Sequence, residues 1–184
     1  LTTINKIEPL SRQNYVPNGN TPLYDCLGFT IERLNQRSQM MKKTKKAFSV
    51  LVVILTDGQE NASTQFNRQR VFDLIGDKTK EGWTFVYLGA NQDAFTEAAN
   101  LGIVGGNTLS YTADSTGIAA ATASLSQSTA SYMASAASNT ATASNNTNTT
   151  VTAFFGPPLK ETNPKPSKSA RKRLSIQKGK NPIT

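Results

Sequence analysis

Any catalysis or metal binding by this chain would have to use hydroxyl, carboxylate and backbone groups, because the sequence contains no histidine and one cysteine. The absence of histidine excludes Ser-His-Asp and Cys-His catalysis and the usual His-ligated metals. A single cysteine excludes an intramolecular disulfide and a cysteine-rich zinc site. We expect Cys26, next to the apolar Leu27, to be a small core residue.

The candidate residues lie next to predicted strands and helices. Asp57 follows one apolar run, Asn91 and Asp93 follow the next, and Thr21 precedes the first predicted helix. Ligands of open α/β sheets bind beyond the carboxyl ends of the strands, where Asp57 is expected. The competing interpretations are a plain Asp-Gly turn at Asp57 and a simple helix N-cap at Thr21.

The first helix and the first strand have clear signals. Thr21 at the N-cap and Pro22 at the first helical position predict a helix that runs to about Arg37. Its apolar residues recur every three or four positions, at Leu23, Leu27, Ile31 and Leu34. The run Phe48–Leu55 is rich in β-branched residues, which predicts a strand of a parallel sheet buried on both faces.

The rest of the body alternates helices and strands. A helix that begins within Thr116–Ala121 and extends to about Ala137, with Asp114 and Ser115 as candidate caps, ends this part. The whole alternation predicts an α/β fold, an open and mostly parallel Rossmann-like sheet flanked by helices. The other predicted elements are helix Arg68–Lys80, strand Trp83–Leu88, helix Asp93–Leu101 and strand Asn107–Tyr111.

Composition divides the chain into an α/β domain at 1–137 and a low-complexity, disordered and basic tail at 138–184. Beyond Pro157 there are eight basic residues and one acidic residue, a net charge of +7. Such a tail predicts polyanion binding, to nucleic acid or an anionic surface, without base stacking. The alternative is a solubilising tail. The densest basic cluster contains Lys168, Arg171, Lys172 and Arg173.

Two motifs resemble the von Willebrand factor A (vWA) domain family. Residues 19–25, Gly-Asn-Thr-Pro-Leu-Tyr-Asp, and residues 52–58, Val-Val-Ile-Leu-Thr-Asp-Gly, are similar to the family's second and third metal-site motifs. The strand at 85–90 and the helix at 98–102 are similar to the elements that follow. The resemblance covers about 15–132 and implies a vWA-like fold.

This resemblance also implies a function and a metal ion. Thr21 would be a direct ligand of Mg²⁺ or another divalent cation, and Asp57 would bind it directly or through water. Glu60 would act in the second coordination shell. The family leaves one metal position open for a carboxylate from a protein partner, so the resemblance implies a protein-interaction module and not an enzyme. Hydroxyl and carboxylate oxygens are ligands that Mg²⁺ accepts.

The family's first motif, Asp-x-Ser-x-Ser, does not occur before Thr21. We therefore expect a partial vWA-like domain, either a truncated frame, a split gene or a domain completed by another chain that supplies the missing N-terminal half. Two of five metal-site side chains remain, which predicts no tight Mg²⁺ binding by this chain alone.

Two further classes of protein fit the sequence less well than an interaction module. An enzyme with Asp57 as a catalytic carboxylate ranks lowest, because no second acid, base or nucleophile has a motif around it. A membrane-spanning protein is not expected, since no apolar run approaches the ~20 residues that a span needs. With no signal peptide in its first residues, the chain is predicted to be cytoplasmic.

Overall fold

The computed structural model describes residues 4–9, 11–16, 19–44, 48–90, 93–141 and 153–156. Short 3₁₀ turns occur at Ile4–Lys6 and Gly105–Asn107. The helices and strands, in chain order, are α1 (Leu23–Lys43), β1 (Leu51–Thr56), α2 (Arg68–Lys80), β2 (Thr84–Ala90), α3 (Ala94–Asn100), β3 (Thr108–Tyr111) and α4 (Ser115–Ala141).

The three strands form one open parallel sheet in the order β1-β2-β3. Leu51 of β1 pairs with Thr84 of β2, and Tyr87 of β2 pairs with Thr108 of β3. Helices α2 and α3 connect consecutive strands, as parallel pairing requires. The predicted α/β class, an open parallel sheet flanked by helices, is therefore confirmed.

Helices α1, α2 and α3 cover one face of the sheet and form the main core with it. The predicted apolar stripe of α1 faces this core: Leu27 and Ile31 are buried, and Leu34 is partly buried. Burying an aliphatic side chain of this size contributes about 1.5–3 kcal/mol. The strand residues of this core are Val52, Ile54, Phe85 and Tyr87.

Helix α4 packs on the other face, over β2 and β3, through Ala121, Leu125 and Tyr132. Its 27 residues are mostly Ala, Ser and Thr, and Asp114 caps its first turn by accepting a hydrogen bond from the Gly117 amide at 2.7 Å. No helix in the described ranges is long and apolar enough to cross a membrane.

Strand β1 is not buried on both faces as predicted. Val53 is 38% exposed and Leu55 is 61% exposed, whereas Val52 and Ile54 on the opposite face are buried. The reason is that β1 is an edge strand and α4 packs against β2 and β3. The prediction assumed helices over both faces of this strand, whereas α4 leaves one face of β1 largely uncovered.

Helix α1 also differs from its prediction at both ends. It begins at Leu23 with Pro22 at the N-cap and without a side-chain cap from Thr21, so the predicted N-cap role of Thr21 is wrong. It ends at Lys43 instead of about Arg37. By contrast, α2 has the predicted bounds and is capped by Asn67, whose side chain accepts a hydrogen bond from the Arg70 amide at 2.9 Å.

Cys26 is exposed, so its prediction as a core residue is wrong. Successive helical residues are about 100° apart around the axis, because one turn takes 3.6 residues. The step from the buried Leu27 back to Cys26 therefore moves the side chain off the core-facing stripe.

Four residues of the predicted tail, 153–156, are described, and they pack on the α4 side of the sheet. Phe154 is buried there next to Tyr132. This contact was not anticipated, because an isolated Phe-Phe pair after a polar stretch gives no periodic signal. The basic residues after Pro157 lie outside the described residues, so the predictions of disorder and of polyanion binding for that segment remain predictions.

Candidate functional site

The candidate site lies at the carboxyl end of β1, where residues 57–66 wrap around the first turn of α1. The chain bends directly after the strand. The Thr56 hydroxyl donates to the Gly58 carbonyl at 2.8 Å and accepts from the Gly58 amide at 3.3 Å. These bonds form a compact turn that presents Asp57 beyond the end of the sheet.

Thr21 is held against this turn by backbone contacts. Its amide donates to Asn61 Oδ1 at 2.7 Å, and the Asn61 amide donates to the Thr21 carbonyl at 3.2 Å. A Cβ on Gly58 would lie 2.9 Å from Thr21 Oγ1, so a side chain there would force Thr21 or the turn to shift. The structure thus brings Thr21 beside the turn that carries Asp57, two segments more than thirty residues apart in the chain.

Asp57 is exposed, and within the described residues its carboxylate has no hydrogen bond or ion pair. Its charge acts on Tyr111, at the end of β3. Burial first, and the negative charge of Asp57 second, raise the pKa of the Tyr111 hydroxyl. Tyr111 therefore belongs to the same end of the sheet, a position that its sequence context did not reveal.

Glu60, three residues after Asp57, accepts hydrogen bonds with both of its carboxylate oxygens. Its carboxylate accepts hydrogen bonds from the amides of Tyr24 at 2.9 Å, Ala62 at 2.9 Å and Ser63 at 2.7 Å. The Ser63 hydroxyl adds a fourth bond at 2.7 Å. Burial favours the neutral acid, but these donors outweigh burial and hold the pKa of Glu60 below its usual value. The second-shell role implied for Glu60 stays a prediction, since these bonds account for its position.

Asp25, in the first turn of α1, binds the far end of the same loop. Its carboxylate accepts from the amides of Thr64 and Gln65 at 2.8 Å and of Phe66 at 2.7 Å. Burial raises the pKa of Asp25, and the backbone donors together lower it below the ordinary value. The Asp25 amide in turn donates to Ser63 Oγ at 3.0 Å. Amides of α1 therefore donate to side chains of the loop, and amides of the loop donate to Asp25 of α1, so that α1 is fastened to the loop.

The aromatic ring of Phe66 completes this attachment. A side chain at Gly28 would collide with that ring, so the glycine in α1 provides the space for it. The ring also meets Phe29 edge to face, with centroids 5.1 Å apart. The loop is thus fixed by polar contacts at its start and by ring packing at its end.

The described residues do not complete a magnesium site by themselves. They contain no group of three or more acidic or cysteine side chains that could hold a metal. Asp93 caps α3, where it accepts from the Thr96 amide at 3.1 Å and the Thr96 hydroxyl at 2.7 Å. Asn91 lies outside the described residues. One hydroxyl and one carboxylate fall short of the octahedral oxygen set that Mg²⁺ requires.

No protein-family model, curated protein sequence or solved structure matches this chain. The resemblance to the vWA family therefore stays a prediction from two sequence motifs. The basic residues Lys168, Arg171, Lys172 and Arg173 lie outside the described residues, so their predicted binding to polyanions also stays a prediction. The function has to be argued from the residues around Thr21 and Asp57.

Proposed function

We propose that this chain is a non-catalytic protein-interaction module of the vWA type. When its metal site is complete, the module uses a divalent cation to bind an acidic group on a protein partner. Two sequence motifs and the open parallel sheet support this proposal. The second motif ends at the carboxyl end of β1, where α/β proteins bind ligands, and Thr21 of the first motif lies beside that turn.

The contrast in pairing within one loop carries the proposal. Glu60 accepts four hydrogen bonds, and its carboxylate therefore serves the backbone around it. Asp57 is exposed and has no polar partner in the described part of the chain, while Thr21 Oγ1 lies against the neighbouring Gly58. An uncommitted carboxylate in this turn and a threonine hydroxyl against the same turn are oxygen groups that a hard cation can use.

The proposal requires further oxygen ligands from another segment. Thr21 would bind the cation through its hydroxyl, and Asp57 directly or through water, which leaves most of the coordination sphere to other groups. In the vWA resemblance these come from an Asp-x-Ser-x-Ser segment, so a segment that bears this motif is the first partner we propose. A bound cation would supply positive charge and an open position for the acidic partner.

Calorimetric titration with MgCl₂ tests this proposal. We expect no tight binding by the chain alone, and we expect binding after addition of a vWA segment that bears Asp-x-Ser-x-Ser. In the completed protein, Asp57→Ala should weaken Mg²⁺ at least tenfold. Asp73→Ala, which removes the same charge from an exposed position on α2, should leave the Mg²⁺ affinity unchanged. Equal affinity in the Asp57 variant would refute the metal role, and micromolar Mg²⁺ affinity of the chain alone would show that the site is misplaced.

Charge favours a second candidate function, polyanion association through the segment beyond Pro157. Its eight basic residues and one acidic residue give a net charge of +7, and no aromatic residue lies among them. If about five phosphates of duplex DNA are neutralised, log K should fall with log salt at a slope of roughly −4 to −5. Replacing Lys168, Arg171, Lys172 and Arg173 by glutamine should flatten this slope; an unchanged slope would exclude the cluster.

A further inference from the structure

Residues 153–156 pack beside β3 on a surface that contains Gly106, Asn107 and Tyr132, which we call the groove. The Phe154 amide donates a hydrogen bond to Asn107 Oδ1 at 2.9 Å. Asn107 is only 5% exposed, and its Nδ2 donates to the Phe85 carbonyl of β2 at 3.0 Å. The sheet therefore fixes this buried amide and aims its oxygen at the backbone of the incoming segment.

The groove also restricts the size and backbone conformation of the residues bound in it. A Cβ on Gly106 would collide with the side chain of Ala153, so a small residue lies directly on a glycine. The Phe155 amide donates to the Gly106 carbonyl at 3.0 Å. The segment then turns at Gly156, whose φ of 84° favours glycine and whose amide donates to the Ala153 carbonyl at 3.0 Å.

Aromatic packing supplies the apolar part of the contact. Phe154 is 8% exposed, and its ring centroid lies 6.0 Å from that of Tyr132 on α4. The Phe155 ring meets it edge to face at 5.0 Å. Aromatic pairs in such geometries contribute about 0.5–1.5 kcal/mol beyond their buried area. The backbone bonds and the ring contacts together define a pattern of small residue, Phe, Phe and Gly.

These contacts are those of a bound peptide. The four residues form a turn outside every helix and strand, and residues 142–152 separate them from α4. Phe154 belongs to the smaller apolar cluster, separate from the main core under α1, α2 and α3. We infer that this groove is a peptide-binding site for segments of the pattern small–Phe–Phe–Gly, and that residues 153–156 are its ligand within the same chain.

The groove and the candidate site lie at opposite ends of the sheet. Gly106 precedes β3, so the groove lies towards the amino ends of the parallel strands, whereas Asp57 follows the carboxyl end of β1. Gly156 lies four residues before Lys160, the first of the eight basic residues. Residues 153–156 thus lie at the end of the sheet opposite Thr21 and Asp57.

Amide NMR of the full-length chain tests this inference with the free peptide Val-Thr-Ala-Phe-Phe-Gly-Pro-Pro, residues 151–158. In a Phe154→Ala chain the groove is vacated, and the peptide should shift the signals of Gly106 and Asn107 in a saturable way. The intact chain should require at least tenfold more peptide, because a tethered ligand has an effective concentration of about millimolar.

Two glycine substitutions in the Phe154→Ala chain provide the matched pair. Gly106→Ala should abolish peptide binding, because its methyl group occupies the space of Ala153. Gly76→Ala should not, because a Cβ there meets open space. Binding of equal strength in both glycine variants, no shifts at millimolar peptide, or unfolding of the chain by Phe154→Ala and by Gly106→Ala alone would each overturn the inference. A dimer that dissociates on Phe154→Ala would contradict docking within one chain.

Discussion

The loop after β1 and the strand itself differ in how completely their groups are paired. Around the loop, Glu60 and, from the first turn of α1, Asp25 each accept hydrogen bonds from three backbone amides, and these bonds fasten α1 to the loop. On the strand and at its end, Val53 and Leu55 are exposed, and Asp57 has no polar partner in the described ranges. The difference teaches that acidic residues a few positions apart can have opposite roles. The paired ones maintain the fold, and the open ones remain for binding.

The largest expected effect comes from breaking the paired region at Glu60. Glu60→Ala leaves three backbone amides without their acceptor, and lost capping and hydrogen bonds of this kind cost about 2 kcal/mol. Urea denaturation should show this loss in the free energy of unfolding. Asp57→Ala, three residues earlier, should change stability by less than about 0.5 kcal/mol. Equal losses in the two variants would contradict the division between paired and open residues.

The second effect concerns the open edge of β1. No strand within the described residues pairs with its outer edge. The Val50 carbonyl accepts from Thr84 of β2 at 2.9 Å, so by alternation the backbone groups of Leu51, Val53 and Leu55 point outward. An uninterrupted apolar edge strand is a template for pairing with another chain. We expect self-association, visible by light scattering as a mass that rises with protein concentration.

Charge placed on this strand should suppress that association. Leu55→Lys places like charges opposite each other when the β1 strands of two chains pair. The dissociation constant of the self-associated protein should therefore rise at least tenfold. Met133→Lys on α4, at a residue that is also exposed, is the control and should have no effect. A concentration-independent monomer in the unaltered chain, with a cooperative melt, would show that the edge does not associate.

A smaller effect is expected from pH. The folded state lowers the pKa of both Asp25 and Glu60, so their stabilisation is fully present above the ordinary carboxyl pKa of about 4. It is lost as pH falls through the lowered values, because the unfolded chain then binds more protons than the folded one. The melting temperature should therefore drop below about pH 4. In Glu60→Gln the drop should be shallower, and a drop parallel to that of the unaltered chain would exclude Glu60 as a cause.

Local patterns in the sequence were enough to predict the regular elements. The spacing of Leu27, Ile31 and Leu34 predicted which side of α1 is buried, and α2 has the predicted bounds. The burial of β1 was mispredicted, because it depends on where α4 packs, more than sixty residues later. An apolar run indicates a strand but does not indicate how many faces are covered.

The candidate site was predictable only in part. Motif order indicated Thr21 and Asp57, and the structure brings Thr21 beside the Asp57 turn. The capping role of Glu60 was missed, because its bond to the Tyr24 amide joins residues 36 positions apart and leaves no local spacing signal. Thr21 was assigned that capping role instead, since hydroxyls before a Pro are frequent helix caps.

Paramagnetic broadening by Mn²⁺ tests the central claim most directly, because it maps cation binding on the chain as it exists, even when binding is weak. At low Mn²⁺ concentration, the amide signals of Asp57, Gly58 and Thr21 should broaden first, because Asp57 is an open carboxylate in the turn against which Thr21 lies. Asp57→Ala should remove this broadening, and Asp73→Ala should preserve it. Broadening centred on the residues around the Asp25 and Glu60 carboxylates would contradict the account. Broadening at Gly58 that is unchanged in Asp57→Ala would contradict it as well.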